Sequence, residues 1–194
     1  MASTIQVDKI QDTGGNTILS SNSSGTFTYE AASGANFTNL SGVGKVLQCV
    51  STNKLDTFTS TSTSFIDITS FSVDITPSAT TSKVLVIANV AHSDGGDRSY
   101  LQLVRDSTAI AIGDAAGSRP RISGGAVHSM TTYSIYNTAI NYLDSPSSTS
   151  AVTYKIQTRT LGDTLYINRS EADRDNADYD PRAACTITAI EIGA

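Results

Sequence analysis

Read as a pattern of apolar and polar positions, the chain has one stretch that stands apart. Lys83 to Val90, Lys-Val-Leu-Val-Ile-Ala-Asn-Val, is an apolar run bounded by turn formers, Pro77 to Ser82 before it and Asp94-Gly95-Gly96-Asp97 after it. Its shortness and its β-branched residues select a strand over a helix, and its continuity predicts a central strand buried on both faces. Further strands are predicted at Lys45 to Val50, Asp56 to Ser60, Phe65 to Ile75, Ser99 to Arg105 and Thr108 to Gly113. More follow at Val127 to Leu143 (broken once), Ala151 to Thr160, Asp163 to Asn168 and Ala184 to Ile192. Val152, Tyr154 and Ile156 alternate with Thr153, Lys155 and Gln157, as in a sheet solvated on one side. Across Ile66, Ile68, Phe71, Val73 and Ile75 the alternation slips at Thr69-Ser70, which predicts a bulge. Gly162-Asp163 predicts a two-residue hairpin turn and Asp106-Ser107 a weaker one, while Ile187 and Ile190 point to opposite faces of the last strand. Many short strands separated by Gly, Asp, Ser and Pro, with no amphipathic helix, give an all-β antiparallel β-sandwich or barrel.

Before Gly44 the texture differs. Short apolar pairs alternate with glycine clusters at intervals of about nine to eleven residues, which suggests successive short strands or arches in an extended, Gly/Ser-rich, shaft-like segment. Ile5, Val7, Ile10, Ile18, Leu19, Phe27, Tyr29, Phe37 and Leu40 are too sparse to bury one another within a single chain. The segment is therefore either a flexible tail or is completed by further copies of itself or by a docking surface. The division expected is residues 1–44 as anchor or shaft and 45–194 as a β-sandwich head.

Composition narrows the function. The 194 residues are 39% hydrophobic, enough for a modest core, and 27 Ser with 26 Thr favour turns and solvated strand faces. A net charge of -5 with scattered Lys and Arg argues against nucleic acid as a partner. The start, Met1-Ala2-Ser3-Thr4-Ile5, lacks the features of a signal peptide, and no apolar run is long enough to span a bilayer, so no membrane insertion is expected. Cys49 and Cys185 are read as two reduced, buried apolar residues.

Candidate chemistry is sparse. His92 and His128 sit beside strand ends without a nucleophile in a distinctive setting, and Gly113 to Arg119 lacks the Gly-Lys-Ser/Thr ending of a phosphate loop. No catalytic residue, metal site or cofactor is expected. The densest polar stretch is Arg169 to Arg182, with Arg169, Glu171, Asp173, Arg174, Asp175, Asp178, Tyr179, Asp180 and Arg182. Its alternating carboxylates lack the glycine and the terminal Glu of a calcium loop, so it is expected to be a long solvated loop with internal ion pairs. A divalent-ion site, or a carbohydrate-facing loop with Tyr179 stacked on a sugar, are the minor alternatives. Ala91 to Arg98, Gly113 to Gly125 and Arg169 to Arg182 are the long loops expected to build the outward surface.

Some stretches carry a resemblance. Ser3 to Gln11 with Gly14-Gly15-Asn16-Thr17-Ile18-Leu19-Ser20 resembles the amino terminus of bacteriophage virion structural proteins of the tail-fibre and appendage type, from phages of aquatic bacteria. Gly44 to Gln48, Ile75 to Ser78 with Ser82 to Val86, Val104 to Asp106, Tyr142 to Pro146 and Ala189 to Ile192 are similar to the distal domain of that family. The resemblance implies a virion location after assembly in the host cytoplasm, and a homotrimeric fibre with a jelly-roll head. It also implies other virion proteins as partners (tail, portal-proximal or capsid) and a host surface glycan or protein as a possible target. A capsid decoration or cement protein is the alternative, and a glycan-cleaving spike is the least favoured. For a jelly roll, Lys45 to Val50 and Ala184 to Ile192 should lie together, with both cysteines in or near one core.

Overall fold

The computed structural model of this chain describes residues 9–11, 13–15, 17–21, 27–28, 45–127 and 131–193. The chain divides into two units, Met1–Val43 and Gly44–Ala194. In the first, β1 (Lys9–Gln11), β2 (Thr17–Ser21) and β3 (Phe27–Thr28) form an antiparallel meander in which Ile10 lies opposite Leu19. Ile18 is also in β2 and Phe27 opens β3, whereas Ile5, Val7, Tyr29, Phe37 and Leu40 lie outside the described residues.

The second unit contains β4 (Lys45–Lys54), β5 (Phe58–Ser60), β6 (Ile66–Ile75), β7 (Lys83–Asp94), β8 (Ser99–Arg105) and β9 (Thr108–Ile110). Then come β10 (Gly124–Val127), β11 (Tyr136–Asp144), β12 (Val152–Thr160), β13 (Leu165–Ile167) and β14 (Cys185–Gly193). All pairings are antiparallel. Three pairs share one position each, because β5 continues the line of β4, β14 continues that of β13, and β9 and β10 both lie along β8. Numbering the positions in chain order, one sheet runs first, eighth, third, sixth (β4/β5, β13/β14, β7, β11). The other runs second, seventh, fourth, fifth (β6, β12, β8, β9/β10). That is the jelly-roll order, two sheets packed face to face with successive positions crossing between them except at the hairpin from fourth to fifth.

The inner faces follow the alternation of the sequence. On β12, Val152, Tyr154, Ile156, Thr158 and Thr160 are all buried, and on β14 Cys185, Ile187, Ala189 and Glu191. Ile190 does point away from Ile187, to the outer face. The bulge falls where the pattern slips: Lys155 pairs Ser72 but Gln157 pairs Asp67, with Ser70 between them at φ 58°. The break restores Ile68 and Phe71 to the same core. Asp106-Ser107 forms the expected tight hairpin between β8 and β9, with Asp106 at φ 54°.

Two polar clusters stitch the core. Asp144 on β11 accepts both oxygens' hydrogen bonds from Arg105 Nη1 of β8, at 2.8 and 3.0 Å, and one from the buried Tyr154 hydroxyl of β12 at 2.7 Å. One carboxylate thus ties the two sheets together, and burial with the Asp144 hydrogen bond pushes the Tyr154 phenol far above its ordinary range. At the far end of β14, Glu191 accepts from Gln48 Nε2 at 2.6 Å and from the Ser78 amide and hydroxyl at 2.7 Å each. Burial works against its charge, but the Gln48 and Ser78 donors outweigh it and hold the carboxyl at about 2.

Four expectations are corrected. The β7 strand is central, yet from Lys83 to Asn89 only one face is buried, with Ile87 40% exposed, because no described segment of the second unit covers the outer face along that part of the strand. Burial on both faces begins at Val90 and continues to Asp94, so Ala91–Asp94 is strand rather than surface loop. Cys49 is exposed: β4 and β14 are neighbours as expected, but Cys49 pairs Ile190 on the outer face while Cys185 points inward. Gly162-Asp163 is not a hairpin turn, since β12 and β13 belong to different sheets. The segment crosses the edge of the sandwich beside Gly95, where an added Cβ would lie 2.5 Å from the Asp163 carboxylate and displace it.

Candidate recognition loop

The Arg169–Arg182 stretch is an excursion from the middle of one strand position. β13 pairs β7 at Asp94 to His92, β14 pairs the same strand from Asn89 to Lys83, and the chain leaves the sheet between them. The exit is closed by a bridge between Arg169 and Arg182 and by the Ala183 amide, which donates to the Asn168 carbonyl at 3.1 Å. Asn168 fills the gap. It is fully buried at φ 61°, a backbone region that Asn tolerates better than most residues. Its amide donates to the Ala91 carbonyl at 3.0 Å, and its Nδ2 donates to the carbonyls of Lys54 and Asp56 at 2.8 and 3.0 Å, where β4 gives way to β5. Its Oδ1 accepts from the Cys185 thiol at 3.0 Å.

The charged residues of the excursion divide into two groups. Asp173 accepts from Arg182 at 2.8 Å and pairs with Arg169 at 3.4 Å, and Asp180 pairs with Arg174 at 2.7 Å. The Ser170 hydroxyl donates to Asp180 at 2.7 Å and, with Arg174, holds that carboxyl below the usual carboxylate range against the opposing effect of burial. Arg169 also lies over the Tyr166 ring at 4.2 Å and donates to the carbonyls of Ser170 and Glu171. These pairs brace the loop, although Asp173, Arg174 and Arg182 are exposed, and Glu171 is half-buried beside them. Exposed and outside these ion pairs are Asp175, Asn176, Asp178 and Tyr179.

Tyr133 is the residue that sequence reasoning missed. Its ring lies 5.6 Å from that of Tyr179 at 56°, and the two are 45% and 53% exposed. The Ala172 amide, donating to the Thr132 carbonyl at 2.8 Å, draws the segments together. Nothing local in the sequence links positions so far apart. The result is an exposed aromatic pair beside free carboxylates and an amide, a surface that offers apolar ring faces and hydrogen-bonding groups to the same ligand. Among the described residues, no group of three or more His, Cys, Asp or Glu side chains converges on one point.

His92 has no access to solvent. Within β7 rather than at its end, it lies between the sheets, its Nε2 2.9 Å from Thr138 Oγ1 and its Nδ1 3.4 Å from Ser99 Oγ. Burial lowers the imidazole from 6.5 to about 4, so it is neutral at pH 7. His128 lies outside the described residues. The sign of the linkage follows. Below pH 6.5 an unfolded chain binds a proton that the folded head refuses, so the stability is intact above pH 6.5 and declines down to about pH 4. The expected loss is about 3 kcal/mol across that window. Urea midpoints measured from pH 7 to pH 4 should fall for the natural protein, and the fall should be much shallower in His92→Gln.

No protein-family model matches the sequence, and no curated protein matches it. Among solved structures, the chain is similar to one titled as infectious bursal disease virus, Gt strain. The TM-score is 0.40 with 13% identity, covering 75% of this chain and 36% of the other. It is similar too to T=1 particles derived from that virus, with TM-score 0.39, 13% identity, and 86% and 45% of the two chains covered. A VP2 subviral particle of the virus matches with TM-score 0.36, 14% identity, and 76% and 42% covered. The chain spans less than half the length of these virus particle proteins, and a likeness at this level carries no function across.

Proposed function

We propose that this protein is a non-enzymatic structural component of a bacteriophage virion, assembled in the host cytoplasm as a trimer. Residues 1–44 attach it to the particle, and the jelly-roll head faces outward and contacts the host surface. The observation that carries this reading is the sheet order, first-eighth-third-sixth against second-seventh-fourth-fifth, because the jelly roll is an architecture of viral capsid and lectin domains. The resemblance of the amino-terminal stretch to phage appendage proteins supports the attachment end. The braced excursion supports the recognition end, since Tyr133 and Tyr179 with Asp175, Asn176 and Asp178 suit a sugar ring and its hydroxyls.

Three experiments test it. An antibody to the head should label virions at the tail or another projecting structure. Deletion of residues 1–44 should leave a folded head that is no longer incorporated into particles, and normal incorporation would overturn the assignment of the attachment segment. The pair Tyr133→Ala and Tyr179→Ala should lower stability by only about 1 kcal/mol, the scale of one half-exposed ring pair, while adsorption to host cells drops about tenfold, the loss of one aromatic stacking contact. Unchanged adsorption together with antibody label spread over the capsid would favour a decoration protein instead.

A further inference from the structure

The two outer faces of the sandwich differ in kind. On the β6-β12-β8 side, Asp67 accepts from Lys155 and Gln157, and Asp74 accepts from Thr153, a charged and hydrogen-bonded surface. On the β4-β14-β7-β11 side, cross-strand register places Cys49, Ile190, Leu85 and Leu143 in one row. The next row holds Ser51, Thr188, Ile87 and Asn141, and the one after it Asn53, Thr186, Asn89 and Ala139. None of these three rows contains a charge. Leu143 is 52% and Ile87 40% exposed. Charges bound the three rows at both ends: Lys83 pairs Ile192 beyond the apolar row, where Ile192 also pairs the 63% exposed Val46, and at the other end Arg169 lies over the Tyr166 ring.

We infer that this outer face is where identical heads meet, turned toward the same face of other copies around a threefold axis; the inference rests on the reading of the protein as a trimer. Charge favours a second copy as the occupant. In a chain of net charge -5 most surfaces of two copies repel, whereas an uncharged face meets its own image without like-charge cost. The threefold arrangement comes from the trimer reading, and the size of the face fits it: four strands span about 19 Å, and seven residues along them about 24 Å. Three faces about 19 Å wide close into a triangular prism whose walls stand about 5.5 Å from the axis, close to half the normal spacing of packed sheets. The Cys49-Ile190-Leu85-Leu143 rows then join into a continuous apolar ring.

The two cysteines supply the test. In the full-length protein, maleimide labelling located by mass spectrometry reports coverage of the face at Cys49. Cys185, buried with its thiol pushed up to about 11, stays silent unless the head unfolds. The expected result is an assembled protein whose Cys49 labels at least about tenfold more slowly than in Leu143→Asp, which sets three like charges around the axis. Cys185 should remain unlabelled in both. If Cys49 in the assembled protein labels as fast as in the variant, the face is not the contact, although the trimer stands. If the protein sizes as a monomer with Cys49 protected, the chain's own residues 1–44 cover the face and the inference fails. A monomer with Cys49 reactive overturns the trimer reading as well.

Discussion

Asp144→Ala is expected to destabilise the head by about 4 kcal/mol, the scale for removing one partner of a buried ion pair. The carboxylate is 4% exposed and carries the Arg105 guanidinium and the Tyr154 hydroxyl from the opposite sheet. Without it, a buried phenol donor loses its partner outright, and the Arg105 guanidinium, on a side chain 26% exposed, keeps only a partial route to water. Tyr154→Phe removes only one donor to a carboxylate that keeps Arg105, so it should cost about 1 to 2 kcal/mol. Replacing all three together, Arg105→Met with Asp144→Leu and Tyr154→Phe, should recover much of the loss, because it leaves no stranded donor and an apolar group of similar volume often serves as well as a buried ion pair. Urea unfolding of the four proteins checks this. Equal midpoints for the natural protein and Asp144→Ala would mean that the link between the sheets contributes nothing.

Asn168→Ala should be almost as damaging, at about 3 to 4 kcal/mol. The substitution strands the carbonyls of Lys54 and Asp56 and removes the acceptor of the Cys185 thiol, and it leaves alanine at a positive φ. Asn168→Gly keeps the backbone freedom and loses the same side-chain bonds, so the difference between the two variants isolates the conformational part, about 1 kcal/mol. A second readout is the thiol of Cys185, which should become reactive well below the global urea midpoint in either variant. The excursion and the junction between β4 and β5 open when their shared plug is gone.

The strands were largely legible because each inner face had to be apolar at every second residue. Val152 to Thr160 and the slip at Thr69-Ser70 were readable from that rule alone, and a mismatched phase can be repaired only by a bulge. The jelly-roll order was implied by resemblance and then found in the sheet order, since alternation says which way a residue faces but not which strand lies beside it. The errors share that cause. Cys49 looked like core because cysteine usually is, but its parity relative to Val50 places it outside. Gly162-Asp163 has good turn residues, and whether the next strand joins the same sheet depends on packing that those two residues do not encode. In the loop, the concentration of Arg and Asp announced internal ion pairs, and these are present. The roles of Asn168 and Tyr133 were hidden because their partners, Lys54, Asp56, Ala91 and Tyr179, become neighbours only after the sheets form.

The way the excursion leaves its strand has a consequence for how such a head can diversify. Its two ends are pinned to each other at Arg169 and Arg182, and the strand resumes its register along β7 as though the intervening residues were absent. The sheet is therefore insensitive to the length and content of what is inserted, and the entropic cost of a longer insert grows by only about 0.6 kcal/mol for each doubling. A foreign peptide spliced between Ala172 and Tyr179, with Asn168 and the Asp173 and Asp180 ion pairs rebuilt at its base, would be displayed on the flank of the sandwich. The same architecture gives a lineage of such proteins a cassette that can be exchanged for new targets while the scaffold keeps its fold.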